Sequence, residues 1–282
     1  MIKQLKNINE LVMFKHTIFS LPFIFIAMIV AKGGWFGFEL LFLGILATVT
    51  ARNFAMSFNR LVDMDIDIQN PRTKKRPSVD GRISKKSMIV FIFANIVGFV
   101  FVTYLINDLA FALSLPVLLI IGGYSYVKRF SYLSHLVLGI GLGMAPIAGA
   151  IAVVSYIPMW SLFLGLGVMF WVAGFDILYS LQDIDIDKKL SMSSIPAKFG
   201  YKKAMFISKI LHIFSLIFWT IFVYMAHGGI FAYIALVFSA IGLAYEHYLI
   251  KDNFKKIDQA FFVVNGYLGV VFLIFITMDS LW

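Results

Sequence analysis

"SMIVFIFANIVGFVFVTYLI", residues 87–106, holds no charged side chain and a single amide, Asn95. A helix of about 20 such residues rises about 30 Å, the thickness of a bilayer's hydrocarbon core. No water reaches backbone N–H and C=O groups there, so the segment must pair them internally, as a helix. Outward from this run, eight more apolar stretches follow the same rule. The nine expected spans are 12–31, 39–60, 87–106, 109–126, 133–154, 160–181, 204–226, 229–249 and 258–279. Composition agrees, with 61% hydrophobic and 14% charged residues, against about a quarter charged in soluble domains. The expected fold is all-α: a polytopic membrane protein forming one domain over residues 1–282. The N-terminal apolar stretch follows a polar lead-in and has no clear small-x-small cleavage site, so it reads as a retained helix rather than a signal peptide.

All but Lys32 and Arg52 of the 24 Lys and Arg fall in, or within a few residues of, the N-terminal segment and alternate connections. By the positive-inside rule that face is cytoplasmic, with the C-terminus on the other side. The protein is therefore expected in the cell's inner membrane. The net charge of +9 reflects this topology, and nothing in the pattern points to nucleic acid. Cysteine is absent, which excludes disulfides, thiolate zinc ligands and a thiol nucleophile.

Two acidic clusters stand out against this background. "LVDMDIDIQ" starts at Leu61 and "LQDIDIDKK" at Leu181, each where a span meets a basic-face loop. On a continuous helix, Arg52, Asn59, Asp63 and Asp67 fall within about 80° of one another. So do Asp176, Asp183 and Asp187, with Tyr179 at the edge, whereas Asp65 and Asp185 fall roughly opposite. Four convergent carboxylates repel unless a cation lies between them. Oxygen ligands suit Mg2+, which commonly bridges carboxylates and substrate phosphates. "NPRTKKRP" follows the first cluster directly, and fixed cations beside a carboxylate–metal site imply a diphosphate ligand. An EF-hand loop is excluded, because its required Gly and Glu are replaced by Ile68 and Lys74, or by Lys188 and Ser194. A solvated helix end explains either cluster alone less well once both are considered together.

Asn59-Arg60-x-x-Asp63-x-x-x-Asp67 and Asp176-x-x-Tyr179-x-x-x-Asp183-x-x-x-Asp187 resemble the two aspartate motifs of the UbiA superfamily of intramembrane prenyltransferases. Arg72, Arg76 and Tyr124-x-x-x-Lys128 match its basic residues and its Y-x-x-x-K motif, and the resemblance covers essentially the whole chain. It implies about nine helices around a central cavity with a cytoplasmic-side active site. It also implies Mg2+-dependent transfer of a polyprenyl group from polyprenyl diphosphate to an acceptor. "FKHTIFSLP" (14–22) and "ARNFAMSFNRLVDMDID" look most like the 4-hydroxybenzoate polyprenyltransferase-type branch of quinone biosynthesis. That branch includes relatives acting on 1,4-dihydroxy-6-naphthoate in the futalosine route to menaquinone.

On that resemblance, Asp63, Asp67, Asp183 and Asp187 are expected to hold Mg2+. Asn59 would complete the first metal's shell or bind phosphate. Arg72, Arg76 and Lys128 would contact phosphate, with Tyr124 holding Lys128 or the diphosphate and Tyr179 at the substrate's edge. Arg52 is expected to bind the carboxylate of an aromatic acid. Asp176 would orient the phenol or accept its proton, unless it pairs with Arg52. Asp65 and Asp185 are expected to be bystanders, Lys74 and Lys75 solvated, and Glu246 interfacial. No histidine has metal-ligand spacing, and only His16 lies in a motif. The rival classes are a cation-coupled transporter, disfavoured by acids lying at one surface, and a CDP-alcohol phosphotransferase, whose D-G-x-x-A-R lead is missing.

Overall fold

The computed structural model describes residues 2–13, 19, 21–251, 256–257 and 260–281. His16 and most of "FKHTIFSLP" lie outside them. Every regular element among the described residues is a helix, running α1 (Ile2–Val12), α2 (Leu21–Lys32), α3 (Phe38–Val62), α4 (Met64–Asp67), α5 (Lys85–Ile106) and α6 (Asp108–Val127). It continues through α7 (Ser134–Val154), α8 (Met159–Tyr179), α9 (Ile184–Lys189), α10 (Ile195–Met225), α11 (Ile230–Ile250) and α12 (Asn265–Leu281). Among the described residues, eight helical segments are long and apolar enough to cross a membrane, and α2 is a shorter apolar helix. Eight of the nine expected runs thus appear as membrane-length helices, and the first as the shorter α2 over its described residues from Leu21.

The helices differ in what they face. On α2, Phe23, Ile26, Ala27 and Met28 are fully buried, and the helix packs against α7 and α12. A helix apolar on every side is at home in an interior as well as in lipid. By contrast, Phe93 and Phe101 of α5 and Leu115 and Leu119 of α6 are exposed, as lipid-facing side chains are. Around Phe23 the core is aromatic, with Trp219 stacked at 5.4 Å and Phe272 edge-on at 5.9 Å.

Small residues bring α7 and α8 together, as "LGIGLGMAPIAG" (138–149) leads one to expect. A Cβ on Gly143 would lie 2.6 Å from the Gly165 carbonyl oxygen, and one on Gly165 would lie 2.6 Å from that of Gly143. Neither backbone oxygen can rotate away. Gly165→Ala is therefore expected to cost about 1–3 kcal/mol of stability, read as a lower thermal midpoint in detergent.

Glu246 is not interfacial. It is 1% exposed, and Asn265 Nδ2 donates to its Oε1 at 2.7 Å while Trp171 Nε1 donates to Asn265 Oδ1 at 2.7 Å. Burial of a carboxyl group demands such a donor, and the first residue of α12 supplies it.

Neither motif helix runs through its cluster. α3 ends at Asp63 (φ −92°, ψ 7°), from which α4 starts. α8 gives way to a 3-10 turn, Ser180–Asp183, and Asp183 (φ −105°, ψ 7°) starts α9. The same break at the first aspartate of each cluster replaces the continuous helix expected from spacing.

Candidate active site

The breaks turn the aspartates toward one another's loops, and each outer aspartate finds a cation or hydroxyl. Asp63, 1% exposed, pairs with Lys128 from the end of α6 and accepts from Asn59 Nδ2 at 2.9 Å. Its Oδ1 is buried with no hydrogen-bond partner. Burial pushes this carboxyl above the usual carboxylate range, against the pull of the Lys128 ammonium. Arg76 Nη1 donates to both oxygens of Asp67 at 2.7 Å.

The second cluster is held partly by the first cluster's loop. Arg72 pairs with Asp183, its Nε donating to Oδ1 at 3.2 Å, and Asn70 Nδ2 donates to the same oxygen at 3.1 Å. Arg72 also donates to the Tyr179 hydroxyl at 3.1 Å and lies 5.3 Å from that ring's centre, a cation–π contact. Asp187 accepts from Ser194 Oγ at 2.8 Å. Ser194 caps α10, its side chain accepting from the Ala197 N–H. The α6 and α9 loops join where Ser193 N donates to the Lys128 carbonyl at 2.8 Å.

Asp65 and Asp185 are exposed. Arg129 grips Asp65 in a fork at 2.7 and 2.9 Å, and that hydrogen bonding holds its carboxyl below the usual range. Lys74 and Lys75 are also exposed.

Beneath the first motif, α2, α3, α5, α6 and α7 enclose a cavity of about 410 Å³, lined almost wholly by apolar residues. Arg52 and Tyr124 supply its main polar groups. Tyr124 lines the chamber beside Arg52, while Lys128 pairs with Asp63. Arg52 does not pair with Asp176. Its Nη2 donates to the Met13 carbonyl at 3.2 Å, and its Nε is buried without a partner. Asp176 instead meets His135 Nδ1 at 2.7 Å. The other ring nitrogen faces the Ile195 N–H at 3.4 Å, so Nδ1 carries the proton donated to Asp176.

Spacing alone gave no role to His135, Asn70 or Ser194, and it named Arg60 only within the first motif. Ser194 carried a usable signal, a cap residue before Ile-Pro-Ala. The partnership of His135 spans 41 residues, and no local pattern announces it.

Among the described residues, no three carboxylate or imidazole groups form a ready metal cluster. The donor set nonetheless fits a hard cation. It is all oxygen, and the buried Asp63 Oδ1 lacks a hydrogen-bond partner.

An apolar chamber thus lies beneath paired carboxylates and fixed cations in a bundle of membrane-length helices. Residues 20–276 match the UbiA prenyltransferase family, and the chain belongs to it. It is a prenyltransferase, and the transporter and phosphotransferase readings fall away. The chain is 31% identical over 247 residues to the 4-hydroxybenzoate octaprenyltransferase of Providencia stuartii, covering 85% of this chain and 84% of that one. It resembles a solved apo UbiA homolog from Aeropyrum pernix K1, with TM-score 0.85 and 30% identity over 94% of this chain and 98% of that one. A homolog from Archaeoglobus fulgidus bound to DMAPP and Mg2+ shares the fold, with TM-score 0.78 at 18% identity over 97% of this chain and 99% of that one.

Proposed function

We propose that this protein transfers a polyprenyl group from polyprenyl diphosphate to an aromatic acid of the 4-hydroxybenzoate type, with Mg2+ as cofactor. The observation that carries the reading is the grip of Arg72, which follows the first motif, on Asp183 of the second. One site is thereby built from both motifs, above a chamber whose polar wall holds Arg52 and Tyr124.

Asp63, Asp67, Asp183 and Asp187, with Asn59, would hold the metal, which when bound neutralises the departing diphosphate as a Lewis acid. Lys128, Arg72 and Arg76 then exchange carboxylate for phosphate oxygens, a swap between two charge-assisted partners. Tyr179 steadies Arg72 during it. The apolar chamber takes the isoprenoid tail and keeps water from the allylic carbon. Arg52 holds the acceptor's carboxylate, and Asp176, steadied by His135, takes the phenol proton. As the ring carbon ortho to that oxygen bonds to the prenyl C1, the C1–O bond breaks and diphosphate leaves with the electron pair. The ring C–H proton then passes to solvent or diphosphate, and Asp176 returns its proton to the oxygen as aromaticity is restored.

Placement of all Lys and Arg but Lys32 and Arg52 on the motif-bearing side supports a cytoplasmic active site in a bacterial-type inner membrane. The test is transfer from one radiolabelled prenyl diphosphate by purified protein, comparing 4-hydroxybenzoate with 1,4-dihydroxy-6-naphthoate. Product from neither would overturn the aromatic-acid reading. Arg52→Ala should raise the acceptor KM by about tenfold or more and leave the donor KM nearly unchanged. The opposite pattern would move Arg52 to the diphosphate.

A further inference from the structure

Arg60 is a buried guanidinium with no carboxylate of its own. It is 5% exposed, and no ion pair joins it to any described residue, whereas Lys128, Arg72, Arg76, Arg82 and Arg129 each have one. Asp63 and Asp67 lie within its electrostatic range, but Lys128 and Arg76 hold them. Its hydrogen bonds go to neutral acceptors, the Asn59 Oδ1 at 3.3 Å and the weakly accepting Met13 sulfur at 3.2 Å. A charge kept in such a place is costly unless an anion completes it.

Arg52 shares this condition and this neighbour. Met13 gives its carbonyl to Arg52 and its sulfur to Arg60, so one residue spans both guanidinium groups. Met13, just past the end of α1, has φ 46°, a left-handed conformation unusual for a residue with a side chain. α1 itself is fastened by Glu10, which accepts from Arg82 at 2.5 and 2.8 Å. Tyr124, on the chamber wall, lies within range of both arginines.

We propose that Arg60 and Arg52 together form the receptacle for the acceptor's carboxylate, and that Met13 covers it from the end of α1 until the acid displaces it. The proposal rests on the aromatic-acid reading above. Two planar guanidinium forks can bind both carboxylate oxygens, which a neutral carboxamide satisfies poorly. Arg60 is thus a specificity residue for acids over their neutral analogues.

The test compares 4-hydroxybenzoate with 4-hydroxybenzamide, and 1,4-dihydroxy-6-naphthoate with its carboxamide, on purified full-length protein with Mg2+ and one prenyl diphosphate. The readout is the acid-to-amide ratio of kcat/KM, which is independent of the fraction of active protein. The wild-type protein is expected to prefer the acid, and Arg60→Gln to reduce that preference by about tenfold or more with the donor KM unchanged. Arg60→Lys, which keeps the charge without the fork, should fall between. A wild-type preference that survives intact in Arg60→Gln overturns the role of Arg60 and leaves the aromatic-acid reading standing. So does a rise confined to the donor KM, which would assign Arg60 to the diphosphate. No acid preference in the wild type overturns the aromatic-acid reading itself, and the receptacle with it.

Discussion

Replacing any one of Asp63, Asp67, Asp183 or Asp187 with Asn is expected to lower kcat/KM by about 10²–10³, while Asp65→Asn and Asp185→Asn should cost less than about threefold. The two sets alternate along the same short segments, so proximity to the chemistry does not separate them. Burial and partners do. Asp63 and Asp67 are 1% and 4% exposed and engage Lys128 and Arg76, and Asp183 holds Arg72 from the opposite motif. An amide keeps the shape but loses the charge that positions those cations and would draw in a metal. Asp65 has its side chain 61% exposed beside Arg129, where water replaces a lost ion pair at little cost. Steady-state rates of the six variants, measured at saturating Mg2+, decide it. Equal losses at middle and outer positions would overturn the division.

Removal of divalent metal should have the larger effect, a fall in turnover of about 10³ or more, restored by Mg2+. The site as it stands balances carboxylates against arginines and lysine, and that balance cannot also neutralise an incoming diphosphate. Added diphosphate would compete for Lys128, Arg72 and Arg76 and leave the aspartates unpaired unless a cation joined them. Mg2+ and inorganic diphosphate together are therefore expected to raise the thermal midpoint more than the sum of either alone. Undiminished activity after exhaustive chelation, or a strictly additive midpoint shift, would show that the fixed cations suffice.

Much of the architecture was legible because membrane insertion is a local property. Whether a stretch such as residues 87–106 crosses a bilayer depends on its own length and polarity, and eight of the nine expected runs are membrane-length helices among the described residues. The acidic clusters, their basic companions and the outward placement of Asp65 and Asp185 were legible for a similar reason, since period and charge lie within a few residues of each other. Hydropathy could not distinguish α2, buried in the bundle, from α5, which faces outward, because lipid and protein interior reward the same side chains. Helical periodicity also carried Asp63 and Asp183 along continuous helices that in fact break at those residues.

Partnership was the part that required the folded chain. The Asp176–His135 contact, the reach of Arg72 to Asp183 and the span of Met13 over Arg52 and Arg60 join residues 41, 111, 39 and 47 positions apart. Composition and spacing established that this chain spans a membrane and gathers acids and bases at one end of its helices. Which acid meets which base, and which buried arginines lack a carboxylate partner among the described residues, was settled by helix packing. A charge in a low-dielectric interior is stabilised only by groups within a few ångströms, and those neighbours come from distant parts of the chain.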